Sequence, residues 1–214
     1  MSICDGDRTF QGRFFTLNYS LSKRFRNHNK IEEAMKKVYI THGYTANPSR
    51  NWFPWLKNEL EKLGWECECL AMPNSDQPNP QAWLEYHQNT LKLDENTLLI
   101  GHSLGCIALL NYLAVTQQKV KTAIFVSGFY EKLPTLPELD SFADFYANQT
   151  ACLPQKSYVI SALNDTVVLH SFSDRLAQYL QADYIRLETG GHFIDREGIT
   201  EMPVLLALIK QIVK

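Results

Sequence analysis

The chain has 214 residues, 45% hydrophobic and 21% charged, with a formal net charge of −2. That length suits one domain, or one domain with an appendage, and the composition is that of a soluble globular protein with ample material for a core. The mild acidity gives no electrostatic reason to expect a nucleic-acid partner, no apolar run approaches the roughly 20 residues that span a bilayer, and Met1–Gln11 lacks the apolar stretch of a signal peptide.

Residues 1–34 read differently from the rest of the chain. The run Arg24-Phe25-Arg26-Asn27-His28-Asn29-Lys30 is polar and basic and has no clean period. Met35-Lys36-Lys37 then leads into Val38-Tyr39-Ile40-Thr41 like a natural translation start. We expect 1–34 to be an N-terminal appendage outside the core fold, whether upstream read-through, an expression remnant or a genuine arm, and 35–214 to be the folded domain.

From residue 38 onward, strand and helix signals alternate. A strand at Val38–Thr41 is followed by a helix around Trp52–Leu63, with Gly64 where a C-cap glycine belongs. A strand at Glu66–Ala71 ends at Met72-Pro73. After a Pro/Asn-rich loop, Pro80 at a helix start opens a helix from about Gln81 to Lys92. A strand at Thr97–Ile100 precedes a helix at Cys106–Val115, and a strand at Thr122–Ser127 ends at Gly128-Phe129. Residues 130–152 break the pattern: Pro134 and Pro137 bracket short pieces, and Leu139–Tyr146 reads as one short helix, a lid or cap over the strand ends. Then come a strand at Ser157–Ala162, a helix at Ser171–Leu180, a strand at Asp183–Leu187 and an amphipathic helix at Glu201–Val213. This alternation predicts an α/β fold, a mostly parallel sheet covered by helices on both faces as a three-layer sandwich, with ligands bound at the carboxyl ends of the strands.

At one such end stands Gly101-His102-Ser103-Leu104-Gly105. A serine between two glycines at a strand-to-helix junction is the nucleophile-elbow pattern, in which side chains at the glycine positions would clash and the serine hydroxyl is thrust outward. Serine needs a base, and histidine titrates in the right range. Of the six histidines, His28 lies in the appendage, His87 falls in a helix, His102 is too close to Ser103 to turn back onto it, and His170 begins a helix. His192, after a strand and Gly190-Gly191, is the candidate base. It comes last in the order serine, acid, histidine. Asp165, shortly after the strand ending at Ala162, is the candidate acid. Asp140 and Asp144 belong to the lid, Asp174 looks helical, and Asp195 is a weaker rival because it is so local to His192. The oxyanion hole needs two backbone donors. Leu104 N–H follows the nucleophile, and Tyr44 N–H comes from the loop after the first strand, where His42-Gly43 permits the turn and the imidazole can tie the loop down.

Trp52, Phe53, Trp55 and Trp83 form an aromatic cluster that reads mostly as packing, with Trp52, Trp55 and Trp83 as candidates for lining a hydrophobic substrate pocket. Five cysteines, Cys4, Cys67, Cys69, Cys106 and Cys152, give an odd number and no metal-type pair. Buried free thiols in a reducing cytoplasm explain them, with Cys106 packed inside a helix rather than acting as nucleophile. Neither metal nor organic cofactor is expected.

These residues together carry a resemblance. His42-Gly43-Tyr44 with Trp52 and Pro54-Trp55-Leu56, Met72-Pro73, the elbow, Asn164-Asp165 with Val168, and Gly190-Gly191-His192-Phe193 occur in one order over about 36–212. In this the chain resembles the small serine hydrolases of the retinoblastoma-binding-protein-nine and YdeN type. The resemblance implies a compact α/β-hydrolase fold with a minimal cap, and Ser103, Asp165 and His192 as nucleophile, acid and base. It names no substrate.

The expected activity is that of a carboxylesterase-like serine hydrolase acting on a small-molecule ester, thioester or amide. The alternatives are a binding protein on a hydrolase scaffold with weak catalysis, or an acyltransferase with the same three residues.

Overall fold

The computed structural model describes residues 36–212. The expected appendage 1–34, with His28 and Cys4, lies outside the described residues. Six strands alternate with six helices: β1 (Lys37–Thr41), α1 (Phe53–Glu61), β2 (Glu66–Leu70), α2 (Pro80–Thr90), β3 (Thr97–His102), α3 (Leu104–Thr116), β4 (Thr122–Val126), α4 (Asp140–Ala147), β5 (Lys156–Ala162), α5 (His170–Leu180), β6 (Asp183–Leu187) and α6 (Pro203–Ile212). The strands form one sheet in the order β2-β1-β3-β4-β5-β6, and every neighbouring pair is parallel.

Strand periodicity builds the three layers. Successive side chains point to opposite faces, so Tyr39, Leu99, Phe125 and Val159 pack with α2, α3, α4 and α5 on one side. Val38, Ile40, Leu98, Ile100, Ile124, Val126 and Ile160 pack with α1 and α6 on the other. Both faces of the central strands are covered, which is why β3 reads as an unbroken apolar run rather than an alternating one. Cys67 and Cys69 share the α1/α6 face, as their spacing requires. The first eleven residues of α3, Leu104–Ala114, are all buried, so this helix has no solvent face until its last turn, where Val115 is exposed.

Element ends follow local chemistry. Asn79 caps α2, its Oδ1 accepting from Ala82 N–H at 3.0 Å, and Pro80 takes the first helical position. The loop after α1 turns at Gly64, whose φ of +77° suits glycine. Helix α3 starts two residues earlier than its sequence pattern suggests, because the chain enters the helix directly from the elbow. Among the described residues, no helix is long and apolar enough to cross a membrane.

Residues 130–152 hold a short 3₁₀ turn at Pro137–Leu139 and α4. Helix α4 lies on α3 and α2: Phe142 meets the Trp83 ring edge-on at 5.5 Å, and Asn111 Nδ2 donates to Phe142 C=O at 3.3 Å.

Candidate active site

The carboxyl end of β3 passes straight into α3 through Ser103, which has φ +54° and ψ −122°. This is a sparsely populated region for any residue with a Cβ, and such strain persists only where the surroundings impose it. The surroundings do so on three sides. Ser103 N–H donates to Val126 C=O at 2.9 Å, extending the ladder to β4. A Cβ on Gly101 would sit 2.8 Å from Cys106 Cα, and one on Gly105 only 2.1 Å from Thr41 C=O. The two glycines thus let the helix start fold back on the strand and press against the end of β1. Serine usually caps a helix here, but the Ser103 side chain makes no cap hydrogen bond. Its hydroxyl is left available.

The end of β1 comes equally close: a Cβ on Gly43 would stand 2.8 Å from Ser103 Cβ. His42 fixes this loop. Its Nε2 accepts from Met72 N–H at 3.2 Å, so the proton lies on Nδ1, which donates to Gly43 C=O at 2.9 Å. Burial lowers its pKa and keeps it neutral.

Asp165 and His192 meet across the ends of β5 and β6. His192 Nδ1 lies 2.8 Å from Asp165 Oδ2, and both side chains are buried. Asp165 Oδ1 accepts the N–H groups of Val167 and Val168, each at 2.9 Å. Its Oδ2 also accepts the Ser127 hydroxyl at 2.8 Å. The carboxylate is therefore oriented by four donors. Ser127, wholly buried and at φ +46°, directly follows β4.

His192 is held through its backbone as well. Its N–H donates to Glu197 Oε2 at 2.6 Å, and its C=O accepts from His102 Nε2 at 2.9 Å. Gly191 N–H donates to Asn164 Oδ1 at 2.8 Å. His102 is packed edge-on against Trp52 and Phe53, and burial pushes its pKa down to about 3. It is a neutral strut beneath the His192 loop.

The other carboxylates considered as the acid are engaged elsewhere. Asp144 pairs with Lys132 at 2.9 Å, with Asp140 near the same ammonium. Asp174 meets His170 and Arg186. Asp195 takes a two-pronged contact from Arg50, whose Nη2 donates to its Oδ1 at 2.9 Å; that contact holds its carboxyl well below the usual range.

Ser103 and His192 line one cleft of about 350 Å³, with Gly43, Tyr44 and His102 among its walls. No hydrogen bond joins Ser103 to His192 among the described residues. Leu136 is the contribution of the 130–152 segment to this cleft. The aromatics pack mostly as expected, and the lesser reading of Trp52, Trp55 and Trp83 as pocket lining does not describe this cleft. Trp52 and Trp83 are completely buried, Trp55 is half-buried against the core on the α1/α6 side of the sheet, and none of the three lines the cleft. Trp83 faces inward because its indole N–H donates to Pro73 C=O at 2.7 Å. Cys106 is buried against Val126 C=O and Gly128, and burial raises its thiol pKa. Among the described residues no group of three His, Cys, Asp or Glu side chains is placed to hold a metal ion.

Sequence reasoning missed Ser127, Glu197 and the Arg50–Asp195 pair. None stands in a motif, and Arg50 and Asp195 are 145 residues apart.

Known proteins share both the sequence pattern and the fold. A family model described as serine hydrolase matches residues 38–211. The chain is 40% identical over 177 residues to YdeN of Bacillus subtilis (strain 168), covering 79% of this chain and 92% of that protein. It is 35% identical over 86 residues to the serine hydrolase RBBP9 of Rattus norvegicus, covering 40% of this chain and 45% of the relative. The crystal structure of the B. subtilis ydeN gene product superposes with a TM-score of 0.76 at 37% identity, over 83% of this chain and 98% of that one. Est1E from Butyrivibrio proteoclasticus, with ferulic acid bound, shares the fold at a TM-score of 0.62 and 15% identity, over 84% and 90% of the two chains.

Proposed function

This chain belongs to the serine hydrolase family, and from that premise we propose that it cleaves a carboxylic ester, or a related thioester or amide, with Ser103 as nucleophile, His192 as general base and Asp165 as the acid that orients it. The observation that carries this reading is the buried Asp165–His192 contact at 2.8 Å beside a strained serine whose hydroxyl caps nothing.

The chemistry follows from the proton positions. Asp165 accepts from His192 Nδ1–H, which leaves the Nε2 lone pair free to take a proton. Ser103 Oγ attacks the carbonyl carbon as its proton passes to His192 Nε2, and a tetrahedral oxyanion forms. Leu104, as the first residue of α3, has no intrahelical acceptor for its N–H, and the helix terminus carries partial positive charge. With Tyr44 N–H, from the loop pressed against Ser103, it holds the oxyanion. The intermediate collapses, breaking the bond to the leaving group, which takes the proton from His192. Water then attacks the acyl-serine with His192 as base again, releasing the carboxylic acid and restoring Ser103. The gap between Ser103 and His192 closes when substrate is bound, as catalytic hydrogen bonds do in many enzymes.

Turnover of p-nitrophenyl acetate by the full chain tests the reading, with Ser103→Ala expected to lose it. Product analysis with an added alcohol separates hydrolysis from acyl transfer. Absence of turnover across esters, thioesters and amides would favour a binding module instead.

A further inference from the structure

Three charged side chains line the cleft beside Ser103 and His192: Arg50, Asp195 and Arg196. The first two neutralise each other through their two-pronged contact, and Asp195 also accepts Asn51 N–H at 3.3 Å. Arg196 has no side-chain partner among the described residues, and a guanidinium stays charged at any physiological pH. Arg196 is therefore the one charged residue of the described lining without a side-chain partner, and the nearby carboxylates of Asp165 and Glu197 stand outside the lining, each taken up by donors from the His192 segment.

The backbone that carries that charge is fixed relative to Ser103 and His192, while the guanidinium itself is exposed to solvent. Arg196 sits in the 3₁₀ turn Asp195–Glu197, and Glu197 of the same turn grips the His192 N–H at 2.6 Å. Arg50 ties the turn to the loop before α1, and Asn51 Oδ1 accepts Asp195 N–H at 3.0 Å. Much of the remaining wall is apolar: Tyr44, Ala46, Leu136, Val167 and Ile194. A cleft of about 350 Å³ is at the small end of ligand sites. It suits a short apolar body with one charged end.

Resting on the hydrolase reading, we infer that the substrate is a small ester bearing an anionic substituent, a carboxylate or similar group, and that Arg196 receives it. The substituent can lie on the acyl side or on the leaving group, and the two are separable by experiment.

The test compares kcat/KM for matched esters, each corrected for its rate with hydroxide. On the acyl side, the p-nitrophenyl monoester of adipic acid is set against p-nitrophenyl hexanoate. On the leaving-group side, p-nitrophenyl acetate is set against the same ester with a carboxylate on the nitrophenyl ring. The charged ester is expected to be preferred in one of the two arms. The ratio of charged to neutral kcat/KM falls on the order of tenfold in Arg196→Gln and further in Arg196→Glu, and added salt shrinks it in the native protein. Turnover without charge preference in either arm, or a preference that survives Arg196→Gln, overturns the inference and leaves the hydrolase reading standing. Failure of the native protein to turn over any of the four esters removes that reading, and the inference with it.

Discussion

The Ser127 hydroxyl lies 2.8 Å from Asp165 Oδ2, the same oxygen that His192 Nδ1 meets at 2.8 Å. One carboxylate oxygen thus receives a hydroxyl donor from the end of β4 and an imidazole donor from beyond β6. Four donors together leave Asp165 little freedom to rotate. We expect Ser127→Ala to lower kcat by about tenfold, the worth of one hydrogen bond to a buried charge. Ser127→Gly, at home at φ +46°, should lose the same factor. If the glycine variant retains full activity, the hydroxyl is not what matters.

The choice between Asp165 and Asp195 as the acid is testable directly. Asp165→Asn should reduce kcat by about three to four orders of magnitude, the scale seen when the orienting carboxylate of such a triad is neutralised. Asp195→Asn should stay within about tenfold of the native rate, because its carboxylate is occupied by Arg50. Steady-state kinetics on an activated ester read both, and comparable losses would reopen the assignment.

Gly105 is the tightest contact in the elbow. An alanine Cβ there would stand 2.1 Å from Thr41 C=O and 2.7 Å from His42 C=O, both backbone atoms that cannot yield without moving β1. Gly105→Ala should cost about 3 kcal/mol and lower Tm by about 10 °C. Gly64→Ala is the control. A Cβ there meets nothing within 4 Å, and only its φ of +77° opposes it, so about 1 kcal/mol is expected. Equal losses in thermal melts would show that conformation rather than collision governs Gly105.

Two buried histidines set a pH dependence of stability. Burial pushes both His87 and His102 down to about 3, against 6.5 as a free side chain. Above pH about 6.5 neither folded nor unfolded chain protonates them, and the folded state loses nothing. Between about 6.5 and 3 the unfolded chain binds their protons and the folded chain does not, so stability falls as pH falls. Each histidine contributes about 1.4 kcal/mol per pH unit in that window. His87→Gln should flatten the slope of urea-unfolding free energy against pH by one such increment. An unchanged slope would contradict the account of a neutral buried His87.

Much of the fold is legible in the sequence because each central strand is a short apolar run and each turn carries Gly, Pro or Asn punctuation. The apolar run Thr97–Ile100 marks β3, which continues to His102 only because the elbow extends the strand. The positions of Ser103, Asp165 and His192 are legible from their order and from where strands stop. Their supports are not. Ser127 is a strand-end serine like any other until β5 brings Asp165 beside it. Glu197 reads as part of a polar loop, and its grip on His192 depends on Gly191 at φ +54°. Aromatic clustering alone leaves core packing and pocket lining both open, for a physical reason. Tryptophan is the residue of both pockets and cores, and only the bond from Trp83 to Pro73 C=O and the burial of Trp52 against His102 decide for the core.

The central claim is that Ser103 is the nucleophile. A fluorophosphonate reacts by attack of the serine oxygen on phosphorus with loss of fluoride, so it reports the nucleophile whatever the natural substrate. Intact-mass and peptide mass spectrometry of the full chain after such treatment should show a single adduct on the peptide containing Ser103, absent in Ser103→Ala. An adduct that persists in Ser103→Ala, or that maps to another residue, would contradict the account.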